Sequence, residues 1–230
     1  MTYPDFEQDY EFVALNRIDE YAIYDGFIVS TNGKRTDPAD FEKNYCETHV
    51  ERSNALHSHT VDNNTYFVGP LARFNLSYKL LRPIARETAK EIGFKPPERN
   101  PYKGLLARAI ELVHTTDLAI EFANNYHPQG PSYKEVKVHP GEGYGVSEAP
   151  RGLLYHRYVV DEQGLVRFAR ITPPTAQNFA QMEADLWKLA PSAVKLPQEQ
   201  ALLTFEHLLR SYDPCISCAT HFLTLKIDRE

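Results

Sequence analysis

Cys215 and Cys218 are two of the three cysteines in a chain of 230 residues, and they stand in a Cys-x-x-Cys pair with His221 at the same interval beyond. Thiolates and an imidazole at that spacing are the donors of metal sites and redox pairs. Three readings of the residues stay open. A thioredoxin-like pair needs an exposed Cys-x-x-Cys at the start of a helix that follows a strand, whereas here a helical pattern comes first. A zinc half-site would use Cys215, Cys218 and His221 with one more histidine. Two buried structural cysteines are the third. Cys46 is the remaining thiol, so a four-cysteine site cannot be built from this sequence alone.

The bulk properties bound the partners. Apolar residues are 42% and charged residues 24% of the chain, the balance of a soluble protein with a sizeable core. A net charge of -6 gives no support to nucleic-acid binding. No apolar run approaches the roughly 20 residues that span a bilayer, and the acidic start Met1 to Glu7 lacks a signal-peptide core. Three cysteines argue for a reducing compartment. The expected location is the cytoplasm.

The elements that would position the cysteines follow from pattern and punctuation. Residues 1–20 read as a connecting segment. Tyr21–Tyr24 and Phe27–Ser30 read as a hairpin on Asp25-Gly26, with a further turn at Asn32-Gly33. Asp37 and Pro38 open a helix expected to run to about Cys46. A longer helix from Val68 is kinked or divided at Pro83 and stopped by Gly93 and Pro96-Pro97. Tyr102–Tyr126 carries apolar residues on two faces, which predicts a central, buried helix. A Pro- and Gly-rich stretch follows, with a short strand over Tyr133–His139. Leu153–Val160 and Leu165–Ile171 form a hairpin around Gly164, and helices cover about 175–190 and 197–212. The fold class is α+β, helix-dominated, with a β-hairpin before the last helices.

The residues around the cysteines narrow the choice. Tyr212-Asp213-Pro214-Cys215-Ile216-Ser217-Cys218-Ala219-Thr220-His221 resembles the C-terminal nickel-binding motif of the [NiFe]-hydrogenase large subunit, Asp-Pro-Cys-x-x-Cys-x-x-His. Ser147-Glu148-Ala149-Pro150-Arg151-Gly152 resembles the family's Glu-Ala-Pro-Arg-Gly segment, and Pro173-Pro174-Thr175-Ala176-Gln177-Asn178 the proline–threonine–asparagine stretch after it. His49-Val50, Ser53 to Ser58 and Val68 to Arg73 resemble the soluble, cytoplasmic branch linked to nicotinamide cofactors. The resemblance runs from about residue 20 to the end.

The resemblance implies a [NiFe]-hydrogenase large-subunit fold, C-terminal half, and reversible H₂ oxidation. Nickel would be held by four thiolates, two of them Cys215 (terminal) and Cys218 (bridging to an iron that carries cyanide and carbon monoxide). Arg151 would lie over the open face of the metals. Asp213 would pair with Arg151, Thr175 would bond a cyanide, and Pro150 would form an apolar wall. His221 would bind a structural cation, usually magnesium, with the Ile171 carbonyl as a companion. Implied partners are the missing N-terminal half or a full large subunit, a small subunit with Fe–S clusters, and maturation factors.

The sequence departs from the family in lacking its N-terminal half: the Arg-x-Cys-x-x-Cys segment that carries the other nickel pair does not occur in it, nor do the proton-relaying glutamate and the acidic ligand of the structural cation that the same half carries. The expectation is a half-subunit that is inactive alone, from a split gene or a truncated copy, with residues 222–230 as a C-terminal extension or a packed strand. The alternative function is a non-catalytic metal-binding or assembly module using Cys215, Cys218 and His221. Without the resemblance, Arg151 is a hairpin arginine, Thr175 an N-cap, and Asp213-Pro214 a turn. Glu148 is then a solvated loop residue or the partner of a nearby base. His156 is a packed hairpin residue, His57 and His59 are polar-loop histidines, and Cys46 is a small buried apolar group.

Overall fold

The computed structural model describes residues 3–128 and 130–215. Its first sheet is antiparallel, in the order β1 (Val13–Asn16), β2 (Phe27–Ser30) and β3 (Arg35–Thr36). The hairpin expected on Asp25-Gly26 does not form. Phe27–Ser30 pairs instead with Val13–Asn16, with Leu15 opposite Ile28. Both of those side chains are buried to within 1%, and burial selects the partner where local turn chemistry suggested another. Residues 1–20 therefore contribute a strand as well as a connection. The turn at Asn32-Gly33 forms, with Gly33 at φ 81°.

The carboxylate of Asp37 accepts from the Ala39 amide, and Pro38 opens a short 3₁₀ turn that leads into α1 (Phe41–Asn44). This helix stops short of Cys46, which lies in β4 (Tyr45–His49), paired antiparallel to β5 (Leu56–Thr60). Tyr45 points into the core, so its neighbour points out. Cys46 is exposed, contrary to the expectation of a buried thiol. His57 and His59 belong to β5 and not to a polar loop. The His57 ring is buried and stacks on Phe179 at 5.4 Å between centroids.

Pro83 divides the next helical stretch into α2 (Pro70–Ser77) and α3 (Pro83–Glu91), as the sequence predicts. The long helix is α4 (Gly104–Asn125). Ala107, Ile110 and His114 on it are buried, but Leu105, Leu112 and Phe122 are largely exposed (59%, 62% and 63%). The expectation of burial on both sides is thus corrected: within this chain α4 packs through one stripe, against α2 and α3.

No strand forms over Tyr133–His139, because that alternation has no sheet to lie against; Val136 is 83% exposed. The strands of this region are β6 (Gly141–Ala149), β7 (Gly152–Val160) and β8 (Val166–Thr172), an antiparallel meander. Two helices follow, α5 (Pro174–Ala193) and α6 (Gln198–Ser211). Helices outweigh strands, and the class is α+β. No helix of the described residues is long and apolar enough to cross a membrane.

The apolar core has two parts. One lies among the helices, around Phe74, Phe94, Ile110 and Leu208. The other lies among the sheets, around Ile28, Tyr66, Leu153 and Tyr155, with Phe41 stacked on Tyr155 at 4.2 Å.

Burial holds the His57 imidazole below its ordinary range, against the pull of Glu183 at 3.8 Å. A base with a lowered folded-state pKa stabilises the fold above its unfolded pKa, and that stability is lost as pH falls through the folded value. His57→Phe keeps the ring stack and removes the titration. Measured by urea unfolding, the wild-type chain is expected to lose more stability than His57→Phe as pH drops below about 6.5. Parallel pH profiles would refute this.

Candidate metal centre

The candidate site lies where three sequence-distant segments meet: the β6–β7 turn, the first turn of α5, and the exit of α6. The turn carries Pro150 and Arg151 between β6 and β7. Its shape is fixed by two glycines set back to back. Gly69 has φ 116°, and a Cβ there would lie 2.8 Å from the Arg151 carbonyl oxygen. Gly152 has φ 135°, and its Cβ would lie 2.7 Å from a Val68 methyl. Only glycine accepts both the conformation and the approach at these positions.

The same turn is gripped from inside by Arg73 on α2. Its guanidinium donates to the carbonyls of Ala149 (3.0 Å) and Pro150 (3.1 Å), to Glu148 Oε2 (2.7 Å), and to both oxygens of Glu111 (2.6 Å each). Tyr21 Oη donates to Glu111 Oε1 at 2.5 Å, and the Leu15 amide donates to Glu148 Oε1 at 2.7 Å. The Arg73 side chain is 6% exposed and that of Glu148 is 2% exposed. Glu148 is therefore no solvated loop residue but the partner of a base. Burial raises its carboxyl above the ordinary range, and Arg73 opposes the rise. Burial also lifts the Tyr21 phenol well above its usual value, so it stays a donor.

On the other side, α6 ends at Ser211, and Asp213 turns the chain with φ 53°. Aspartate is among the few residues that adopt this left-handed conformation readily. Arg151 Nε donates to the Asp213 carbonyl at 2.8 Å and lies 3.2 Å from its carboxylate. Arg108 from α4 approaches the same carboxylate at 3.5 Å. Two guanidiniums thus share one carboxylate, which leaves local positive charge next to the cysteine segment.

Thr175 is buried in the first turn of α5, and its hydroxyl accepts from the Cys215 amide at 3.2 Å. It does not act as an N-cap: Pro173 holds that position, with no side-chain cap bond. Asn178, one turn on, pairs with the backbone of Val68, accepting from its amide (2.9 Å) and donating to its carbonyl (3.0 Å). Gln177 donates to the carbonyl of Leu153 at 2.5 Å. The helix start is thus tied to the segments that flank both glycines.

Of the residues singled out in the sequence, Pro150, Arg151, Thr175, Asp213 and Cys215 come together here. Cys218 and His221 lie outside the described residues, as does the strand expected after them. His156 is not part of the site; its Nδ1 lies 2.9 Å from Tyr158 Oη on the same strand. Among the described residues no three His, Cys, Asp or Glu side chains are grouped to hold a metal ion. The donor at this convergence is Cys215, half-buried and two residues beyond Asp213, whose carboxylate Arg151 and Arg108 share. One soft donor in that setting fits a thiolate ligand of a centre whose other donors come from elsewhere. Sequence reasoning missed Arg73 and Glu111 as partners. The available signal was a charged residue at a position each helix pattern turns inward, beside Phe74 in α2 and beside Ile110 in α4.

Known proteins share this sequence pattern and this fold. A family model described as nickel-dependent hydrogenase matches residues 8–221. Sulfhydrogenase 1 subunit alpha of Pyrococcus furiosus is 33% identical over 211 residues, which cover 91% of this chain and 49% of that protein. The NAD-reducing hydrogenase HoxS subunit beta of Cupriavidus necator is 35% identical over 167 residues, 68% of this chain and 34% of that one. Among solved structures, an NAD+-reducing [NiFe]-hydrogenase in the H2-reduced state superposes with a TM-score of 0.80 at 24% identity, over 94% of this chain and 51% of its own. The chain spans about half the length or less of the relatives it matches.

Removing Arg73 would leave two carboxylates buried around an empty place. Arg73→Met is expected to cost about 3–5 kcal/mol, the usual loss when one partner of a buried charge cluster is deleted. Arg73→Lys is expected to recover only part, because an ammonium with three donors cannot serve five acceptor oxygens with fork geometry. Urea unfolding measures both; full recovery by lysine would contradict this description.

Proposed function

The chain belongs to the nickel-dependent hydrogenase family, and from that membership we propose that it forms the C-terminal part of a large subunit and supplies two thiolates, Cys215 and Cys218, to a nickel–iron centre for reversible H₂ oxidation. The observation that carries this reading is the convergence of Arg151, Asp213, Thr175 and Cys215 from three separate segments. When bound, such a centre would supply the Lewis acid at which H₂ is split, its iron carrying cyanide and carbon monoxide.

Each of this chain's residues then has a definite task. Asp213 fixes the plane of the Arg151 guanidinium by accepting at its carbonyl and facing Nε with its carboxylate. Arg151 presents its guanidinium toward the cysteine segment, where it donates to the Asp213 carbonyl. The Thr175 hydroxyl orients the backbone at Cys215, and its own proton would be available to donate to a cyanide of the centre. Pro150 narrows access. His221, with the Ile171 carbonyl, would hold a structural magnesium.

The chain's third cysteine, Cys46, sits exposed on β4. A four-thiolate nickel site therefore takes its other pair from residues outside this sequence, in the remainder of a large subunit. A small subunit with Fe–S clusters and maturation factors complete the proposed assembly. Similarity to an NAD-reducing enzyme suggests a nicotinamide acceptor in the cytoplasm.

Co-purification of the chain with the polypeptide that carries the second pair tests the reading. Nickel and iron in equal amounts are expected, with infrared bands from cyanide and carbon monoxide, and both are expected to vanish in Cys215→Ser. Zinc alone would overturn the proposal and favour the non-catalytic module. The isolated chain is expected not to reduce a viologen dye under H₂.

A further inference from the structure

Asp185, in the middle of α5, is a carboxylate with no exposure at all. Four neutral donors surround it. Gln8 Nε2 (2.9 Å) and Gln181 Nε2 (3.0 Å) donate to Oδ1. Tyr10 Oη (2.8 Å) and Tyr212 Oη (2.5 Å) donate to Oδ2. Hydrogen bonds to a charged acceptor are roughly twice as strong as neutral ones. A lone buried charge costs several kcal/mol unless so surrounded, and a core with only packing to achieve would use an apolar residue here.

Tyr212 is the residue that leads into Asp213-Pro214-Cys215. It is 5% exposed and packs against Phe67 at 4.7 Å between ring centroids. Three residues later the Cys215 amide donates to Thr175, near the start of the same helix that carries Asp185. Thr175 and Asp185 are roughly 15 Å apart along the axis. The segment 212–215 is thus pinned to α5 at two points, with the left-handed Asp213 between them.

We propose that Asp185 is a positioning residue for the metal-binding segment: through the Tyr212 hydroxyl it sets the direction in which Asp213 and Cys215 leave α6. Tyr10 donates to the same oxygen and neighbours the Tyr212 hydroxyl there, but it is not continuous with the segment, so it reaches the segment only through Tyr212. The inference rests on the reading of Cys215 as a metal ligand, but its test needs no metal, so either can fail alone.

The experiment is the rate of Cys215 alkylation by iodoacetamide in the Cys46→Ser, Cys218→Ser background, well below the melting temperature and with native circular dichroism. Tyr212→Phe keeps the ring and removes one hydrogen bond. It is expected to change the rate about 3- to 10-fold, the equilibrium factor of one such bond. Thr175→Val is expected to act similarly, and the double variant no more than the larger single one, since both loosen one segment. Tyr10→Phe is expected to lower the melting temperature yet change the rate less than Tyr212→Phe does, because it leaves the Tyr212 bond to Asp185 in place. Asp185→Asn, which keeps an acceptor oxygen, is expected to retain most of the wild-type rate where Asp185→Leu does not. An unchanged rate in Tyr212→Phe, or equal effects of Tyr10→Phe and Tyr212→Phe, would overturn the proposal. Should Tyr212→Phe fail to fold, the contrast between the Asn and Leu variants at Asp185 decides the same question: equal rates in those two would overturn it.

Discussion

A guanidinium shut away from water governs this structure. Arg73 has its charge met by Glu111 and Glu148 and its remaining donors met by the carbonyls of Ala149 and Pro150. Each of these groups would be costly to bury alone. Together they join α2, α4 and the end of β6 into one unit. The turn that presents Arg151 is the product of that unit, and so is the distance from Arg151 to Asp213.

The site is built by a hierarchy of such ties. Asn178 holds α5 to Val68, beside Gly69, which lies against the Arg151 carbonyl. Asp185 and Thr175 hold the segment after α6 to α5. Three elements far apart in sequence thereby share one frame. A metal ligand gains from such preorganisation, because a site loses affinity and function when its supporting side chains are loose.

Much of the site is legible in the sequence because it is written in short motifs. Val68-Gly69-Pro70 and Arg151-Gly152 stand out as motifs of the family they resemble, and the structure shows why glycine stands in both: two backbones touch there. Asp213 and Thr175 stand out through the resemblance, whereas local chemistry alone reads Thr175 as an N-cap, a position that Pro173 fills. The ion cluster behind them does not, because Tyr21, Arg73, Glu111 and Glu148 are scattered and only the fold brings them together. The first hairpin fails for a related reason: Asp25-Gly26 favours a local turn, but Ile28 gains more burial against Leu15. The apolar back of α4 looks like core in the sequence, yet within this chain Leu112 and Phe122 face outward. Periodicity tells which faces are apolar and not what covers them.

Hydrogen–deuterium exchange of Arg73→Lys against wild type tests the central claim most directly. If the buried fork fixes the turn, amides of residues 148–152 and 212–215 will exchange faster in the variant while those of β7 and β8 beyond the turn stay protected. Uniformly faster exchange across the chain, or an unchanged turn, would contradict it.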